Sequence, residues 1–271
     1  MLKIKKVLKQ TAILLAVFSM SDLSAGNSKA YINGSIHTFD ENLTIADSIL
    51  VKDGIIQLVG SQADVIKNAD ESIEIVDLQG RMMMPSFHDA HAHPIWNGMD
   101  FLQCSVFDLL TINEIQERIR ACLEEDHVKT SGWVVGAGLN AGLFPAANPN
   151  KSLFDEVSED IPIYIEMSDG HNALVNTKAL ELAGINRDTK DPFKGIIERD
   201  PITGEPSGTL REPSAMNLVA DVLPTETPEL RLNGLLYAQN LASSFGITSM
   251  IDAAVNEPYL ISFKDLAEKG E

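Results

Sequence analysis

Cysteine, cations and histidine are all scarce in this chain of 271 residues, and each scarcity excludes something. The 2 cysteines, Cys104 and Cys122, are too few for a disulfide framework. Lys and Arg total 21 against 39 Asp and Glu, a net charge of −18, so the chain cannot cover a phosphate backbone and nucleic acid is not an expected partner. The apolar run Thr11–Met20 is shorter than the ~20 residues a bilayer span takes. No short repeat or low-complexity segment interrupts the sequence. Of the 6 histidines none follows His171. What remains is ordinary for a globular protein: 44% hydrophobic and 22% charged residues, with 18 Gly and 12 Pro.

The opening carries the one cationic cluster, Lys3, Lys5, Lys6 and Lys9, ahead of the apolar run and of small residues at Ser24, Ala25 and Gly26. That order predicts a secretory signal over residues 1–25, with an N-terminal core helix or an uncleaved anchor as the competing readings. An exported chain is expected in the periplasm or outside the cell, free of the membrane once the signal is cut. Cys104 and Cys122 stand 18 residues apart around a predicted helix, about five turns if both lie on it, and are expected as two unpaired buried thiols.

Residues 26–81 read as a small β domain. Alternating stretches at Tyr31–Phe39, Asp47–Val51, Ile55–Val59 and Ser72–Asp77 are predicted strands, and the Asp53-Gly54 step predicts a hairpin. From residue 82 strands alternate with helices. Strands are predicted at Met82–Phe87, Trp133–Gly136, Pro162–Glu166 and Thr248–Asp252. Helices are predicted over residues 112–125, 176–183, 228–245 and 258–269. Thr111 with Glu114 is a capping-box pattern, and Thr227-Pro228 marks a helix start. Gly195–Arg211 reads as a hairpin turning at Thr203-Gly204. Alternation of this kind predicts an α/β fold with parallel strands. Four such units amount to half of a (β/α)8 TIM-type barrel over residues 82–271.

Three of the six histidines crowd into residues 88–93. Residues i and i+2 at a strand end face the same way, so His91 and His93 are placed to converge on one metal ion, with ordinary polar loop residues as the alternative. The stretch Asp77–Pro94 around them resembles the barrel entry of the metal-dependent amidohydrolases. More narrowly, it is similar to the amidohydrolase 3 group, relatives of the N-substituted formamide deformylases. Gly132–Gly138, Asp169–Leu180, Thr203–Glu212 and Gly246–Ser249 resemble further motifs of that group, in the group's order. Ser86 departs from its usual glycine.

The resemblance implies a divalent metal, most simply zinc, held by His91 and His93, with Glu212 as a further ligand or metal bridge rather than a solvated charge beside Arg211. It implies hydrolysis of carbon–nitrogen bonds other than peptide bonds, in small amide substrates such as N-acyl or N-formyl amines. His171 would meet the substrate carbonyl or leaving group, against a loop-bonding role. Trp133 and Trp96 would wall a pocket, against simple core packing. The group's later-strand histidines and proton-shuttling aspartate have no counterpart in this sequence. The expectation is therefore a barrel truncated to about four β/α units, with a small N-terminal β-sandwich layer and little activity alone. A second chain carrying the missing half, or a non-catalytic binding or remnant protein, stand beside it.

Overall fold

A computed structural model describes residues 28–270; the expected signal lies outside the described residues. The chain divides into two compact units after Ser86. In the first, β1 (Lys29–Ile32), β4 (Ser48–Lys52), β5 (Ile55–Gly60) and β6 (Glu74–Asp77) form one sheet in the order β5-β4-β1-β6. Strands β2 (Ser35–His37), β3 (Ile45–Ala46) and β7 (Met82–Met83) form another in the order β3-β2-β7. The β4–β5 hairpin turns where the sequence places it, with Asp53 at φ 53° and Gly54 at φ 76°. Two consecutive left-handed residues suit the twist of a tight hairpin, which explains the Asp-Gly pair. Helix α1 (Gln62–Asn68) is capped by Ser61 and packs Val65 against Ala30 and Leu50.

The expected strand over 82–87 is not continuous. Met82 and Met83 pair in parallel with β2 inside the small unit, and a separate strand, β8 (Phe87–Ala92), opens the second. His88 and His91 therefore lie on β8 itself, and His93 is the N-cap of α2 (Pro94–Leu102).

The second unit continues with α3 (Ile112–Cys122), α4 (Asp126–Ser131), β9 (Val134–Leu139), α5 (Ser152–Asp155), β10 (Ile163–Met167), β11 (Asn172–Val175) and α6 (Thr177–Leu182). Then come β12 (Ile196–Arg199), β13 (Pro206–Arg211), α7 (Glu212–Ala220), α8 (Pro228–Ser244), β14 (Ile247–Asp252) and α9 (Glu257–Lys269). The capping box at Thr111/Glu114 forms, and Thr227 caps α8 with Pro228 in the first turn.

Instead of one run of parallel strands, this second unit has two parallel pairs, β8 with β14 and β9 with β10. Beyond β10 the sheet turns antiparallel through β11, β13 and β12. The cause is loop length. Only residues 168–171 separate β10 from β11, whereas a parallel return needs a crossover of a dozen residues or more. Successive residues of β10 face opposite sides. Ile163, Ile165 and Met167 join a core with Ile115, Ile119 and Leu139, while Tyr164 joins Trp133, Val175 and Leu210 on the other face.

A third core joins Ile95 and Met99 of α2 to Leu235 of α8 and Tyr259 and Leu266 of α9. Among the described residues no helix is long and apolar enough to cross a membrane.

The cysteines overturn the expectation of free thiols. Cys104 and Cys122 form a disulfide with Cα atoms 5.8 Å apart. Only Cys122 is on α3. Cys104 lies in the loop after α2, where Cys104 N–H donates to the Val135 carbonyl and Val106 N–H to that of Ala137. This extended segment lines the edge of β9, beneath the end of α3, so eighteen residues fold back instead of spanning a helix.

Candidate metal centre

His91 at the end of β8 and His93 just beyond it, at the N-cap of α2, come together with ring centroids 5.2 Å apart and planes at 83°. The Asp89 carboxylate accepts the His91 backbone N–H at 3.0 Å and shapes the strand end. Parallel pairing sets Asp252, at the end of β14, opposite Ala92. The carboxylate of Asp252 is thereby carried to His93, with Oδ1 3.7 Å from Nδ1. Its side chain is only 6% exposed, and Oδ1 accepts the Ala254 backbone N–H at 3.0 Å. His93 Nδ1 and Asp252 Oδ2 are both buried without a hydrogen-bond partner. The Trp96 ring stands 5.6 Å from that of His93.

His171 and Glu212 form a second pair. Asn172 of β11 lies opposite Arg211 of β13, and Glu212 N–H donates to the His171 carbonyl at 2.7 Å. His171 Nδ1 is 3.6 Å from Glu212 Oε2, and both side chains are more than half exposed. Glu212 opens α7 with φ 66°, the left-handed region that a residue with a Cβ occupies only at a cost.

The expected trio of His91, His93 and Glu212 is thus divided. The two histidines face one another, and Glu212 is engaged with His171. Among the described residues no group of three or more His, Cys, Asp or Glu side chains is gathered to hold a metal ion. Trp133 is packed in the core with Tyr164 and shows 8% of its surface, which borders a cavity.

That cavity, about 1060 Å³, runs between α2, β9, β10 and the segment leading into α8. Trp96, Trp133 and Tyr164 wall it, and Asp100, Glu166 and Glu226 bring three carboxyls to it. Burial pushes Asp100 up to about 8, helped by the charges of Glu166 and Glu226. Burial likewise raises Glu166 to about 7, opposed by the Tyr164 hydroxyl, which donates to it at 3.4 Å. Glu226 is raised for the same reason, with Arg231 working the other way. Sequence reasoning missed these acids because they sit on three elements that only folding brings together. It also missed Asp252, whose one local signal is an acid at the C-terminal end of an apolar strand.

A model described as the amidohydrolase family matches residues 74–270. Protein LONG AFTER FAR-RED 3 of Arabidopsis thaliana is 32% identical over 220 residues, covering 81% of this chain and 37% of the plant protein. The N-substituted formamide deformylase of Arthrobacter pascens is 34% identical over 188 residues, covering 68% of this chain and 34% of that enzyme. The crystal structure of an uncharacterized metal-dependent hydrolase from Pyrococcus horikoshii superposes with a TM-score of 0.63 at 24% identity. It covers 90% of this chain and 46% of the archaeal one, a likeness of fold. The chain therefore spans little more than a third of the length of these curated relatives and about half that of the solved structure. With the motifs of both units in order and the family model running from β6 to the end of α9, the chain belongs to the amidohydrolase family.

Proposed function

We propose that this chain is the metal-bearing part of a hydrolase acting on carbon–nitrogen bonds other than peptide bonds, with small N-acyl or N-formyl amines as substrates. The observation that carries the reading is the His91–His93 pair at the end of β8, with its ring centroids 5.2 Å apart. Two imidazoles so placed suit a divalent ion, most simply zinc. His91 and His93 would hold it, and Glu212 with His171 would stand on the substrate side. Such an ion supplies Lewis acidity toward a carbonyl and an acidified water. Trp96 and Trp133 would shield the amide from bulk water, and His171 would orient its carbonyl or leaving group.

Two imidazoles are fewer protein ligands than the three a catalytic zinc usually has. In this reading the chain is an incomplete enzyme with little activity alone. Its site would be completed by a polypeptide carrying what the longer relatives hold beyond the matched region, whether continuous with it or a second chain. The bare face of the β8–β14 pair, where Phe87 is 56% and Ile251 64% exposed, supports this, because parallel strands are normally covered on both faces.

We place the mature chain in the periplasm or outside the cell, unbound to membrane or nucleic acid. The Cys104–Cys122 disulfide supports an oxidising compartment. A non-catalytic binding role is the second reading, favoured by the division of the three expected ligands into two separate pairs.

The test is zinc content and affinity of the purified chain beside a His91→Asn/His93→Asn variant, with release of amine from an N-formyl amine assayed in parallel. The expected outcome is zinc retained by the wild type, lost in the variant, and turnover low in both. Zinc held equally by both proteins would remove the metal assignment.

A further inference from the structure

The pairing of β14 with β8 delivers one carboxylate, Asp252, to one buried imidazole nitrogen, and this contact has no role in the histidine-pair reading itself. A neutral imidazole carries its proton on one ring nitrogen, and the hydrogen bond made there decides which. For His93 the buried Nδ1 has no hydrogen-bond partner, and the Asp252 carboxylate stands 3.7 Å away. Asp252 is held from behind by the Ala254 N–H, while its own Oδ2 is also buried and unpartnered. A buried donor and a buried carboxylate oxygen left unmet in one contact are costly, so a small shift that brings the Nδ1–H onto the Asp252 carboxylate is favoured.

The pair of His171 and Glu212 shows by contrast what makes this one different. Its separation is nearly the same, 3.6 Å, but its side chains are 68% and 56% exposed, so water serves both groups. At Asp252 water is shut out.

We propose that Asp252 is a positioning residue for His93: it accepts the Nδ1–H, fixes that tautomer and the ring plane, and leaves Nε2 as the nitrogen free to bind a ligand. The inference rests on the metal reading only for its purpose; the tautomer follows from the contact. A carboxylate behind an imidazole also raises the basicity of the outward nitrogen, and losing such a partner typically lowers metal affinity about 10–100-fold.

The experiment is side-chain ¹⁵N NMR of the histidines in the metal-free chain at a pH where His93 is neutral, followed by zinc titration. Wild type should show His93 with the proton on Nδ1. Asp252→Ala should move it to Nε2 and weaken zinc about 10–100-fold. Asp252→Asn, whose amide oxygen still accepts, should keep the Nδ1–H form and most of the affinity. A wild-type His93 protonated on Nε2, or an Asp252→Ala protein that folds with an unchanged tautomer, overturns the proposal. The wild-type spectrum decides even if Asp252→Ala does not fold. If the tautomer shifts as stated but neither wild type nor any variant binds zinc, positioning stands and the metal assignment falls.

Discussion

Gly98 of α2 and Gly234 of α8 meet backbone to backbone: a Cβ placed on Gly98 would stand 2.0 Å from the Gly234 carbonyl oxygen. Neither helix can yield without parting, because Ile95, Met99 and Leu235 pack on either side of the crossing. Gly98→Ala is therefore expected to destabilise the fold by at least about 1–3 kcal/mol, although alanine is the better helix former. Urea unfolding checks this. A gain in stability, as propensity alone would give, would show that the two helices do not touch here.

The disulfide holds the 104–106 segment against β9 while closing a loop of 18 residues. Cys104→Ser/Cys122→Ser is expected to lose about 2–4 kcal/mol. Both sulfurs are buried, so mild reductant should leave the folded chain intact and act only once it unfolds. Thiol labelling with and without urea measures that difference.

The buried acids make stability depend on pH in a definite direction. Asp100 and Glu166 hold protons in the folded chain up to about 8 and about 7, while in the unfolded chain they titrate near 3.8 and 4.5. Across that interval the folded state binds more protons than the unfolded, so stability falls as pH rises. The loss begins near the unfolded values and is complete above about 8. Asp100→Asn, with no charge to bury, is expected to flatten the slope of unfolding free energy between pH 5 and 8 and to exceed wild type in stability at the upper end. A parallel, undiminished slope would contradict the burial of Asp100.

Glu212 occupies a left-handed backbone position at φ 66°. Glycine tolerates that region, so Glu212→Gly is expected to gain about 1 kcal/mol of folding stability from the backbone. If Glu212 serves zinc or substrate, the same change lowers zinc affinity or turnover in the completed enzyme. Stability gained with binding unchanged would leave Glu212 a surface residue.

Features set by neighbours along the chain were legible in the sequence. Asp53-Gly54 specifies its hairpin, Thr111 with Glu114 starts α3, and Thr227-Pro228 starts α8, because each acts through hydrogen bonds or dihedrals within a few residues. The 2-residue spacing of His91 and His93 sufficed to put them together. Helix α2 carries no such mark: its only start signal is Pro94, and Gly98 in its middle argues against a helix until α8 is seen to need the space. The strand β11 was hidden inside the motif Asp169–Leu180, and its antiparallel course follows from a loop that local patterning does not measure.

By itself the sequence determined the family, the local elements and the histidine pair, since these rest on residue identity and short-range spacing. Only the tertiary structure decided that Cys104 reaches Cys122, that Glu212 turns to His171, and that Asp252 arrives behind His93. Each depends on which strand lies beside which, and that choice is made by burial over the whole fold, between residues that the chain itself keeps far apart.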